Sequence, residues 1–115
     1  MVEFREYPAA IAAVQYQIHE LDIQLERVYK IIKQIELTID SAIAFDKTLY
    51  NDAQRKATRQ ILLDAHPSLW EFQEDISSLR AVREVKNIYL SKLRDEFSVL
   101  KLLKREDIAR MESLH

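Results

Sequence analysis

Ile11, Val14, Ile18, Leu21, Leu25, Val28, Ile32, Ile35, Ile39 and Ala42 follow one another at alternating spacings of three and four residues, with no glycine or proline between them. Such an alternation keeps one apolar seam facing a single partner over many turns, as in a coiled coil. It predicts a first helix from about residue 8 to about residue 46. Pro8 falls in its first turn, where the missing N–H has no intrahelical partner to lose.

A break follows at Lys47–Tyr50. Asn51 with Gln54 three residues on has the spacing of a capping box, which predicts a short second helix over about 52–65. Pro67 ends it, because the residue before a proline is steered away from helical angles. Its apolar side, Ala53, Ala57, Ile61, Leu62 and Ala65, is too modest to sustain it alone, so it must lie against something larger. Ser68 with Glu71 repeats the capping pattern. Glu71, Glu74 and Asp75 then place negative charge where the macrodipole of a third helix, over about 69–111, favours it.

The third helix has a seam of Leu69, Phe72, Ile76, Leu79, Val82, then Val85 or Lys86, Tyr89 or Leu90, and Leu93, Phe97, Leu100 and Leu103. Between Val82 and Leu90 the phase slips, as at a stutter. Laid antiparallel, the two seams pair at a nearly constant sum of residue numbers. Ile11 with Leu103, Val14 with Leu100, Leu21 with Leu93, Ile32 with Val82, Ile35 with Leu79 and Ala42 with Phe72 all sum to 114. The expected architecture is all-α: a single domain over 1–115, built as a long antiparallel two-helix hairpin, coiled-coil-like, with the short helix at its tip.

A bare hairpin leaves each helix with one side wet, and this chain has apolar residues to spare. Tyr16, Ile23 and Leu37 recur at sevens opposite the first seam, and Ile88 and Leu102 fall off the second. They are expected to mediate self-association into a helical bundle, as a homodimer or higher assembly, since that would bury what the hairpin cannot.

Composition narrows function mainly by exclusion. Glycine is absent from the 115 residues, which removes Gly-rich phosphate cradles and dinucleotide fingerprints. Cysteine is absent too, so there is no disulfide, thiolate metal site or cysteine nucleophile. No apolar run approaches the length of a membrane span, and Met1–Tyr7 lacks the apolar core of a signal peptide; a soluble, cytoplasmic chain with no membrane partner is the expectation. Its formal net charge of −2 argues against coating nucleic acid over the whole surface.

His19, His66 and His115 do not build a metal site. His19-Glu20 would need a histidine at the position of Ile23 to bind zinc, and the positions three before His19 and His66 hold Tyr16 and Leu63 rather than the glutamate of a di-iron bundle. His66 reads as a turn residue. No catalytic constellation forms either, and neither a cofactor nor an enzymatic reaction is expected. The distinctive chemistry is basic: Arg55, Lys56 and Arg59 on the second helix, and Arg80 and Arg83 on the third. These could contact phosphate or a protein partner. Asp52, Asp64, Glu71, Glu74 and Asp75 stand near enough in sequence to neutralise the tip. Arg83 and Lys86 fall at or beside the slipping seam, facing Ile31 and Val28 in the 114 register. There a basic residue either fixes register or lays its aliphatic stem across the seam.

The stretches Asn51-Asp52-Ala53-Gln54-Arg55-Lys56 and Phe97-Ser98-Val99-Leu100-Lys101-Leu102, with the long amphipathic first helix, resemble small all-helical hairpin proteins of unknown function from bacterial and phage genomes. Some of these are thought to accompany DNA metabolism. The resemblance implies no catalytic residue; it singles out Asn51, Arg55 and Lys56. The leading expectation is a non-enzymatic structural or protein-interaction module that self-associates. An accessory nucleic-acid-binding factor, using the second helix and the basic part of the third, is the alternative.

Overall fold

The computed structural model describes residues 2–114; Met1 and His115 lie outside them. A 3₁₀ turn at Phe4–Glu6 leads into α1 (Tyr7–Ala44), followed by α2 (Asp52–Ala65) and α3 (Leu69–Ser113), with no strand among the described residues. The fold is all-α and that of a helical hairpin. It comprises two compact units: one takes in the chain up to Leu21 and from Val82 onward, the other Asp22–Ala81.

A chain without glycine must turn using ordinary backbone angles, and no described residue has positive φ. After α1 the turn is closed by a side chain: Asp46 Oδ1 accepts from the Thr48 amide at 2.9 Å and from the Thr48 hydroxyl at 2.6 Å. Those bonds, the hydroxyl's first, hold the Asp46 carboxyl below its ordinary value, because they favour the charged form. At α2 the capping box forms. Asn51 Oδ1 accepts from the Gln54 amide at 2.9 Å, and Gln54 Oε1 accepts from the Tyr50 amide at 2.7 Å. Extended His66 ends the helix before Pro67, and its Nδ1 accepts from the Ser68 amide at 3.3 Å.

In the first unit, α1 and α3 pack around Tyr7, Val14, Ile18, Leu90 and Leu93, with Ile11, Phe97 and Leu100 partly buried against them. Leu93 is 1% exposed. The pairing is antiparallel, but its register is not the expected one. Tyr7 stacks on Phe97, whose numbers sum to 104, whereas a sum of 114 would set Tyr7 beside Asp107. The ten-residue difference is about 15 Å along a helix. It leaves Leu103, expected opposite Ile11, 49% exposed.

The middle of the α3 seam also differs from expectation. Val82, Val85 and Tyr89 are exposed, and half-buried Arg83, Lys86 and Asn87 take the inward positions before Leu90. At a sum of 104, Arg83 and Lys86 face Leu21 and Ile18 rather than Ile31 and Val28. Their aliphatic stems can cover an apolar neighbour while the charged ends reach water.

The second unit buries Leu25, Ile39, Ile43, Leu69 and Ile76. Ile43 rather than Ala42 closes the α1 seam, since Ala42 is exposed. Arg59 of α2 reaches Asp40 of α1 at 2.7 Å, so α2 folds back beside the last turns of α1. Its inward side is rotated from the expected one: Thr58, Arg59 and Leu63 are half-buried, whereas Ala53, Ala57, Ile61, Leu62 and Ala65 are exposed and no α2 residue is fully buried.

Candidate functional site

A cluster of specific contacts joins the N-terminal segment to α3, within the first unit. Phe4 and Tyr7 lie one helical turn apart, and both rings meet Phe97, at centroid separations of 5.4 and 5.5 Å. Lysines complete the cluster: Lys101 Nζ sits 4.5 Å from the centre of the Phe97 ring and Lys104 Nζ 4.8 Å from that of Phe4. An ammonium over an aromatic face is attracted by the ring quadrupole.

Tyr7 is 4% exposed, yet its hydroxyl is satisfied. It donates to Glu96 Oε2 at 2.9 Å, while Glu96 Oε1 lies 3.8 Å from Lys92 Nζ. The bond to Glu96, followed by burial and the carboxylate's charge, pushes the Tyr7 phenol above its ordinary 10.0. A folded value above the unfolded one means that this bond stabilises the protein fully below the unfolded value and loses its effect as pH rises through the folded one. Tyr7→Phe is therefore expected to lower the denaturation midpoint at pH 7, with the gap from wild type closing above pH ~10. Thermal melts at pH 7, 9 and 11 check this; a gap that does not change with pH would refute it.

Beside the cluster runs an open groove of about 1170 Å³, with Val2, Phe4 and Tyr7 on one side and Tyr89, Val99 and Leu100 among its α3 residues. Glu3, Asp95 and Glu96 make its rim acidic, relieved by Lys92. The arrangement brings together no nucleophile with a base. What it can do is clamp the N-terminal segment to α3 and offer an apolar trough with a charged edge.

Residues singled out from sequence for phosphate or partner contact pair within the chain. Arg55 pairs with Asp52 of its own helix at 3.3 Å, and Arg59 with Asp40 at 2.7 Å. The hydrogen bond that Arg59 donates to the Asp40 carboxylate raises its guanidinium above its ordinary range. Arg80 lies over the Tyr29 ring at 5.5 Å and donates to the Tyr29 hydroxyl. Lys56 is exposed and Arg83 half-buried. Of the residues singled out for self-association, Tyr16, Leu37, Ile88 and Leu102 are exposed and Ile23 is half-buried.

Among the described residues there is no group of three or more histidines or carboxylates placed to hold a metal ion, and no helix is long and apolar enough to cross a membrane. Sequence reasoning passed over Phe4 and Tyr7, although the spacing contained them. The 3/4 series of Ile11 and Val14 extends backward through Tyr7 and Phe4 at spacings of four and three.

The fold and the site together define an all-α hairpin whose best-developed feature is an aromatic clamp beside an open groove. No protein-family model, curated protein or solved structure matches the chain.

Proposed function

We propose that the chain is a non-enzymatic interaction module that self-associates through helical faces left uncovered by its own hairpin. The observation that carries this reading is the end of α3. Every residue from Lys101 to Leu114 is exposed, including Leu102, Leu103, Ile108 and Met111. With Tyr7 level with Phe97, the last turns of α3 run past the start of α1, so the seam continues without a partner helix.

Magnitudes set what such a face must do. Full burial of a large aliphatic side chain is worth about 1.5–3 kcal/mol. Association costs about 4–15 kcal/mol in lost translational and rotational freedom. A homotypic contact counts each residue twice, so three or four apolar residues per chain suffice for a measurable dimer. The exposed Tyr16 and Ile88 offer further apolar surface of the same kind.

The test is sedimentation velocity across a wide concentration range. A sedimentation coefficient that climbs with concentration to that of a dimer or larger species is expected; one that stays at the monomer value throughout would remove this reading. The arginines of α2 and α3 lend less support to a nucleic-acid-binding role, because Arg55, Arg59 and Arg80 already engage Asp52, Asp40 and Tyr29.

A further inference from the structure

The uncovered end of α3 is complementary to itself. Taken antiparallel at a residue sum of 211, Leu100 of one copy comes opposite Met111 of the other, and Lys104 opposite Asp107. Each match occurs twice, once on either side of the two-fold axis. On a helix of 3.6 residues per turn, Leu100 and Met111 lie along the middle of one stripe, with Lys104 and Asp107 just to either side and Leu103 and Ile108 at its edges. All six are part-exposed or exposed.

From this we infer that two copies of the chain dimerise by laying the last turns of α3 side by side, antiparallel, with Lys104 and Asp107 of each forming ion pairs to Asp107 and Lys104 of the other. The inference rests on the self-association proposed above and names where it happens and what orients it. A second copy is the occupant argued for because its own charges complement the stripe when it lies antiparallel. In a parallel pair Lys104 would meet Lys104 and Asp107 would meet Asp107, whereas the antiparallel arrangement turns both repulsions into attractions. A charged pair within an apolar stripe fixes register and orientation in the way a polar residue does in a coiled-coil seam.

The groove supplies the seat. Leu100 lines it together with Val2, Phe4 and Val99, and Leu100 is the residue the pairing sets against Met111 of the second copy. Lys104 is held beside this seat by the Phe4 ring, 4.8 Å from its Nζ, which limits where its charge can lie before the partner arrives. The N-terminal clamp and the dimer contact therefore meet at one place: Phe4 shapes the groove and positions the lysine.

Reciprocal charge exchange tests the arrangement on the whole 115-residue chain. Lys104→Glu alone, or Asp107→Lys alone, creates two like-charge contacts per dimer and is expected to raise the dissociation constant by about tenfold or more. Mixing the two variants one to one should restore dimers, as heterodimers. The glutamate introduced at position 104 of one chain then meets the lysine introduced at position 107 of the other, while the native Asp107 of the first meets the native Lys104 of the second. The doubly exchanged chain should also dimerise. Recovery in the mixture cannot come from repaired folding, since each chain still carries its own substitution. Single variants that dimerise as tightly as wild type would overturn the site and leave self-association to another face. Impaired singles with no recovery in the mixture would overturn the ion pairs. A wild-type chain that is monomeric throughout would overturn both this inference and the reading on which it rests.

Discussion

Leu93→Ala is expected to destabilise the chain by about 2–5 kcal/mol. The side chain is 1% exposed and belongs to the cluster that joins Tyr7, Val14 and Ile18 to Leu90. Truncation removes three carbons from water-excluded surroundings and leaves a cavity that two rigid helices can close only in part. A chain of this size has a total stability of about 5–15 kcal/mol, so the variant should show a large fall in the urea midpoint, visible by circular dichroism. Val82→Ala is the informative contrast. Val82 belongs to the seam read from sequence, yet it is 46% exposed, and its truncation should change stability by no more than about 0.5 kcal/mol. Equal effects from the two substitutions would mean that the seam had been misassigned.

That contrast marks the border between what the residue pattern disclosed and what it hid. The α1 seam was legible from Ile11 to Ile39: Val14, Ile18, Leu25 and Ile39 are buried, and Ile11, Leu21, Val28, Ile32 and Ile35 half-buried, as an uninterrupted 3/4 alternation requires. The α2 cap was legible for the same kind of reason, since the reciprocal bonds at Asn51 and Gln54 depend only on residues three and four apart. The register was not, and the cause is periodicity itself. Sliding one helix by ten residues, a step of three plus a heptad, again sets apolar against apolar: Ile11 meets Leu93, Val14 meets Leu90 and Leu25 meets Leu79. Seam matching alone does not distinguish the two solutions. The stack of Tyr7 on Phe97 does, and it involves a residue whose place in the series was overlooked.

The partners of the basic residues were hidden for a different reason. Arg59 is held by Asp40, nineteen positions earlier, and Arg80 by Tyr29, fifty-one positions earlier. No local reading of charge can find partners supplied by another helix. The acidic residues thought near enough to neutralise the tip included Asp52, which does pair with Arg55, but not Asp40. A cluster of like charges in a sequence is thus weak evidence for a binding surface until the fold has assigned each charge its neighbours.

Cross-linking turns the choice of register into an all-or-none result. The chain has no cysteine of its own, so pairs can be introduced cleanly, and cysteine packs as a small apolar residue. Glu3→Cys with Leu100→Cys should be bridged in high yield by a bifunctional maleimide spanning about 8 Å, the separation of packed helices, because both residues line one groove and neither is fully buried. Glu3→Cys with Met111→Cys, the pair a sum of 114 sets together, should not be bridged within one chain, since residues 100 and 111 are separated by about 16 Å along α3. The reaction is run at high dilution and read by gel mobility after proteolysis between the sites, which separates a bond within one chain from one between two. Preferential bridging of 3 to 111 would reinstate the sum of 114. From Tyr7 onward α1 would then cover α3 as far as Asp107, and Leu100, Leu103 and Lys104 would be lost to the exposed stripe.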